Sequence, residues 1–355
     1  MTKERLRAAY DAINGDLSPW EPSPRNIVDE DDKVRLLGDV RFQRAYMTYF
    51  SMDINRFLGN PRALAISHLF FGDRPLVFAL FSGVGRPLTL LSDSIESRTA
   101  LMVMQSLTLA AVEWMEPMRE ILMEAQLAEP PNERLSPEDL LNRVTYDGRF
   151  SGIMKAGPGF HGLPYIFNNA ITRAAITEYV WRLDSTDLPL VLQQLSAISV
   201  VLSCGTHKPD QPAFDLYLNH LPTCVHSTKV ILENWVEDLN HGDILVKGLW
   251  LLVVLTYITQ LRPTMDGTLL VPPQLAGQSQ SWTPIYNEIR AQATPGGRYS
   301  DVQLVRTLRS LRELARAYGA VHGRLYLHAA WKLMNQWTGW TGLGIDREVS
   351  LNIRL

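Results

Sequence analysis

Arg86, Asp93 and Glu96 are charged residues set between two apolar, helix-patterned runs, in the stretch Gly83-Val-Gly-Arg-Pro-Leu-Thr-Leu-Leu-Ser-Asp-Ser-Ile-Glu96. Gly83 and Gly85 loosen the backbone, and Pro87 suits the first turn of a helix, which therefore starts here. Along it Thr89, Asp93 and Glu96 recur at spacings of four and three, one face of that helix. A polar stripe of this kind aimed inward makes a pocket wall. The alternative is structural: Arg86 pairs with Asp93 or Glu96 and only fixes the helix start.

The other candidates are more isolated. His161 stands alone in the stretch Asp147 to Pro164, where five glycines and two prolines forbid a helix. It is either a substrate contact or a hydrogen-bonded turn residue. The stretch is not a phosphate loop, because the closing lysine and hydroxyl residue are missing. His220 and His226 are six positions apart, on different helix faces, and make a poor metal pair by themselves. The two cysteines, Cys204 and Cys224, form neither a zinc motif nor a disulfide framework and fit buried thiols in a reducing compartment. No dinucleotide fingerprint and no Gly-x-Ser-x-Gly is present. His68, His207, His241, His322 and His328 take the structural reading.

Helices must position these groups. With 46% hydrophobic and 20% charged residues over 355 positions the chain is an ordinary globule with a large core. A net charge of −3 gives no electrostatic footprint for nucleic acid. The N-terminus has no apolar leader run, so a cytoplasmic location is expected. The most apolar stretch, 249–258, is too short to cross a bilayer and reads as the central core helix of a run from Asp243 to Gln260, so no membrane contact is expected.

Residues 1–39 read as a short helix over 3–13 and a proline-rich linker, with Asp29 to Asp32 as a solvated cap. Apolar periodicity predicts helices over 40–58, 60–71, 75–82, 99–126, 165–182, 188–203 and 322–340, one begun by Phe214 to His220 and bent at Pro222, and one over 300–318 with Ser300 as its cap. Ser136 and Pro137 open another. Residues 263–300 are rich in proline and form a loop-rich lid around one helical piece. The tail over 341–355 alternates without a visible partner strand. The fold expected is all-α, a single domain over 1–355 with many helices packed around a central buried pocket.

The segment Leu80 to Glu96 followed by Gln105 to Val112 resembles a block of the questin oxidase-like family. Phe214-Asp-Leu-Tyr-Leu-Asn-His220, Arg262-Pro-x-x-Asp266 and Asp301-x-Gln303-x-x-Arg306-x-x-Arg309 are similar to further blocks of that family in the same order. The resemblance implies tailoring of aromatic polyketides by Baeyer-Villiger oxidation or ring cleavage. Where a metal is present, it implies a non-haem iron held by histidines and a modified lysine.

This chain departs from that ligand set. The histidines of the first block fall on Arg86 and Leu90, and the histidine and lysine of the last fall on Gln303 and Arg306, leaving His220. A guanidinium has no lone pair to give and leucine no donor atom, so the expectation is no metal and no cofactor.

What remains suits an oxygen-rich, partly anionic small-molecule substrate. Arg86 and Arg306 would hold an enolate, tropolonate or phenolate, His220 would move a proton, and Gln303 would assist. Thr89, Leu90, Asp93, His161 and Tyr217 would line the pocket. The function expected is a cofactor-independent cyclase or pericyclase, of hetero-Diels-Alder type after water loss to a quinone methide. The alternatives are an oxidoreductase of the parental kind and a non-catalytic metabolite-binding relative. Nine tryptophans on a large helical surface make a homodimer a further expectation.

Overall fold

A computed structural model describes residues 23–129, 131–155, 157–208, 211–270, 281–292 and 297–342. The chain divides into two compact units, Met1–Glu116 and Pro117–Leu355. The described residues are helical almost throughout, as an all-α fold requires. The expected helix over 3–13, part of the lid and the tail beyond 342 lie outside the described residues.

The first unit holds α1 (Glu30–Arg35), α2 (Gln43–Asp53), α3 (Pro61–Phe70), α4 (Arg86–Ser97) and α5 (Ala100–Val112). Small residues on α5, with Val103, Leu107, Ala110 and Ala111 buried, let α2, α3 and α4 pack against it. The helix expected over 99–126 is two, because the backbone leaves α5 at Glu113 and restarts as α6 (Glu116–Leu127).

Asp29 caps α1 by accepting from Asp32 N–H at 2.8 Å. Asp32, by contrast, is not solvated. Both terminal nitrogens of the Arg25 guanidinium donate to it at 2.7 Å, Arg35 adds a third contact, and these hydrogen bonds hold its carboxyl well below the usual range.

Beside it runs a buried polar chain with no sequence signature. Lys33, 1% exposed, pairs with Glu30 and lies 3.4 Å from His68 Nδ1, while His68 Nε2 lies 2.7 Å from Asp53 Oδ2. Burial and the Lys33 cation lower the His68 pKa against the pull of Asp53. The neutral ring therefore donates from Nε2 to Asp53 and accepts at Nδ1 from Lys33. Phe50 packs edge-on against the same imidazole at 5.0 Å between centroids.

The second unit adds α7 (Pro137–Tyr146), α8 (Leu163–Phe167), α9 (Ala170–Trp181), α10 (Leu188–Cys204), α11 (Leu216–Trp235), α12 (Leu239–Thr259), α13 (Trp282–Gln292), α14 (Val302–His322) and α15 (Leu325–Gln336). Asn169 splits the helix expected over 165–182 by capping α9, accepting from the Ile171 and Thr172 N–H groups. Ser136 caps α7 as its sequence requires.

At 21 residues α12 exceeds its expected length, and its most apolar window, mean hydropathy 1.6, is long enough to cross a membrane. Within the protein 83% of that window is buried, so its apolar length is met by other helices. The Trp250 indole N–H, deep in it, donates to Tyr179 O at 3.0 Å.

α11 packs against α10, α12 and α14. Phe214 and Asp215 are not its first turn but a short strand, β1 (Phe214–Asp215), paired in parallel with β2 (Trp340–Thr341). Thr341, the first residue of the expected tail, thus has a strand partner. Pro222 lies inside α11 without ending it. At α14 the cap is Asp301, accepting from Leu304 N–H at 2.7 Å, while Ser300 closes the preceding turn.

Asp53→Ala would leave buried His68 without its acceptor and is expected to cost about 3 kcal/mol of folding free energy. Chemical denaturation checks this, with exposed Arg56→Ala expected to change stability by less than about 1 kcal/mol.

Candidate functional site

In the first unit the entry to α4 is a left-handed turn. Gly83, Val84 and Gly85 have φ of 53°, 63° and 77°. Two of these suit glycine, but a β-branched valine there is strained and must be held by its surroundings. The turn brings the backbone against Glu113, so that a Cβ at position 83 would fall 1.8 Å from Glu113 Oε2. Arg86 reaches from the first turn of α4 to Glu113 Oε1, a partner that lies beyond the helix spacings that suggested Asp93 or Glu96. Burial raises the Glu113 pKa while Arg86 opposes it.

The polar stripe does not face inward as a whole. Thr89 is buried, with its hydroxyl donating to Arg86 O at 3.1 Å, whereas Leu90 and Asp93 are half-buried and Glu96 is exposed. The buried side of α4 is carried by Leu88, Leu91 and Ser92.

In the second unit the residues singled out on α11 and α14 meet. Asp215 caps α11, accepting from Tyr217 N–H at 2.8 Å and Leu218 N–H at 2.9 Å. His220, 8% exposed, follows one turn later, and its Nδ1 lies 3.2 Å from Gln303 Oε1 on α14. Gln303 Nε2 donates to Thr307 Oγ1 at 3.3 Å, and Thr307 Oγ1 donates to Asn219 O at 3.2 Å. Asn219 Nδ2 in turn donates to Ser203 Oγ on α10 at 2.8 Å.

One turn farther along both helices the half-buried Arg306 lies within electrostatic range of Cys224, although burial pushes that thiol far up. Tyr217 sits one turn before His220 and packs on Phe160 with ring centroids 5.0 Å apart. His161, next to Phe160, has an exposed side chain in a turn that Gly159 N–H ties to Thr259 O at 3.0 Å.

Asp215 is a site residue that periodicity missed. With the Gln260 amide turned so that its NH₂ end faces these acceptors, it donates to Asp215 Oδ2 at 2.7 Å and to Gly342 O at 3.2 Å. A Cβ at position 342 would fall 1.8 Å from the same carboxylate oxygen. Enclosed in this way, Asp215 has its pKa pushed up to about 6 by burial, against the backbone N–H groups of Leu218 and Tyr217. The signal that could have found it is an aspartate just before an apolar helical run, the pattern of an N-cap.

A family model for questin oxidase-like proteins matches residues 1–311. The chain belongs to the questin oxidase-like family. No curated protein matches it. The matched stretch includes Arg86, His220, Gln303 and Arg306.

An iron of the kind this questin oxidase-like resemblance implies does not fit the side chains present. Arg306, one turn beyond Gln303, is a cation, and His220 Nδ1 faces Gln303 Oε1. Among the described residues no group of three or more His, Cys, Asp and Glu side chains is placed to hold a metal.

Because the folded-state pKa of Asp215 lies above that of a free carboxylate, its protonated form favours folding. That contribution is complete below about pH 4 and is lost as pH rises through about 6. Asp215→Asn keeps a capping oxygen without the charge. Its melting temperature is expected to exceed wild type at pH values above 6 and to converge with it in acid, as scanning calorimetry across pH would show.

Proposed function

We propose that this chain is a secondary-metabolite tailoring enzyme that works without a resident cofactor, as a cyclase or pericyclase on an oxygen-rich polyketide or meroterpenoid. Family membership supports the tailoring role. The observation that carries the finer reading is the approach of His220 to Gln303 at 3.2 Å, with Arg306 one turn farther on the same helix. An acid-base group, an amide and a guanidinium thus replace a ligand set.

These groups suit a substrate whose reaction develops charge on oxygen. His220 accepts the proton of a phenol or enol, and Arg306 stabilises the oxyanion that forms. Hydroxide then leaves the adjacent benzylic carbon, taking a proton from the imidazolium as water, and the ring becomes a quinone methide. Its conjugated oxygen and carbon add across an alkene held alongside, a step helped by orientation more than by further proton transfer. In this reading His161 and Tyr217 serve substrate binding alongside His220 and Gln303.

The test is turnover of a benzylic-alcohol phenol and an alkene by metal-stripped protein. Turnover is expected to survive chelation, to fall about 100-fold in Arg306→Ala as for loss of an oxyanion donor, and to fall at least about 100-fold in His220→Ala. Activity that disappears with chelator and returns with iron contradicts the reading. The family's name favours a second one, an oxidoreductase. Stoichiometric oxygen uptake coupled to product would select it.

A further inference from the structure

The hydrogen bonds between α11 and α14 have a direction, and one atom in them sets it. Asn219 O is a backbone carbonyl and can only accept. The Thr307 hydroxyl, 3.2 Å away, must therefore spend its single proton there, and its oxygen is left to accept. Of the two ends of the Gln303 amide, only the NH₂ can donate to that oxygen, at 3.3 Å. The carbonyl end of Gln303 then faces His220 Nδ1 at 3.2 Å, and a carbonyl oxygen needs a donor opposite it. Nδ1 must carry the hydrogen, and in the neutral imidazole the lone pair is then on Nε2.

The chain is anchored at both ends. Thr307 is 0% exposed, as is Asn219, and Asn219 is held from the other side by its bond to Ser203 Oγ at 2.8 Å. Pro222 has no N–H to return to Leu218 O, the carbonyl just before that of Asn219. Reversing the chain would leave the buried Thr307 hydroxyl directed at Gln303 and the Asn219 carbonyl without its second bond. It would also put the Gln303 NH₂ against Nδ1. The low dielectric of the seam makes such a half-satisfied network costly.

We propose that Thr307 and Gln303, anchored on the Asn219 carbonyl, are positioning residues that hold His220 in the tautomer protonated at Nδ1, so that Nε2 is the nitrogen that exchanges protons with substrate. Its catalytic meaning rests on the acid-base role proposed for His220. Its structural content does not. Neither residue needs to touch substrate. A one-turn ladder instead gives the imidazole a fixed polarity, as a carbonyl or carboxylate does for an acid-base histidine in other settings.

The experiment is nitrogen-15 spectroscopy of the full chain labelled at histidine, at about pH 8, where an ordinary imidazole is neutral, with His220 assigned by its loss in His220→Gln. Wild type is expected to show a protonated Nδ1 and an unprotonated Nε2. Thr307→Val removes the hydroxyl at nearly constant volume and is expected to give a mixture of tautomers, with Gln303→Leu doing the same. Thr307→Ser restores the hydroxyl and is expected to restore the single form.

A wild-type His220 protonated at Nε2 overturns the proposal, as does an unchanged tautomer in both Thr307→Val and Gln303→Leu. On the activity side, Thr307→Val is expected to lower kcat with little change in KM and Thr307→Ser to recover it. If the tautomer responds as stated while His220→Ala keeps full turnover, the positioning stands and the catalytic reading of His220 falls.

Discussion

Everything at the α11 and α14 seam follows from the cost of leaving a polar group dry. Asn219, Thr223, Thr307 and Ser310 are all buried on the facing sides of these helices. Each unmade hydrogen bond there would cost roughly 1–3 kcal/mol. Ser310 Oγ donates to Thr223 Oγ1 at 3.2 Å, one rung beyond the bond from Thr307 to Asn219 O. A shift of either helix along the other would break both rungs together. An apolar seam would tolerate such sliding, whereas this one fixes the register and with it the place of His220, Gln303 and Arg306.

The two helices are also tied at their starts. Asp215 and Asp301 cap them, and both carboxylates are contacted by the segment from Trp340 to Gly342. The Trp340 indole N–H donates to Asp301 Oδ2 at 2.9 Å, and Gly342, at φ 85°, lies against Asp215 through a Gln260 amide. A short parallel pairing of β1 with β2 completes the strap. The family match ends at 311, so the strap is supplied by residues beyond it. In the first unit the same rule governs a different chain, from Glu30 through Lys33 and His68 to Asp53, in which the buried charges of Lys33 and Asp53 are tolerated because each meets an opposite charge and the neutral His68 ring.

Much of this was legible in the residues. Apolar spacing marked the helices, Ser136 and Pro137 marked the start of α7, and the blocks around Arg86, His220 and Arg306 marked the family. Other features were hidden for physical reasons. Glu113 looks like one more polar residue within an apolar helix, because its role depends on a turn formed thirty residues earlier. The strand at Phe214 and Asp215 is invisible without its partner near residue 340. Thr307 has the composition of any helix-surface threonine, and only the facing carbonyl gives it a task. The length of α12 was underestimated because Asn240, His241 and Gly242 dilute its apolar signal at the N-terminal end.

The central claim is that these side chains receive an anionic oxygen of a substrate. The most direct measurement is a crystal structure of the protein with tropolonate bound. The account predicts the tropolonate oxygens within hydrogen-bonding reach of the Arg306 guanidinium and of His220 Nε2. A metal ion held by His220, or a ligand bound with no contact to either residue, would contradict it.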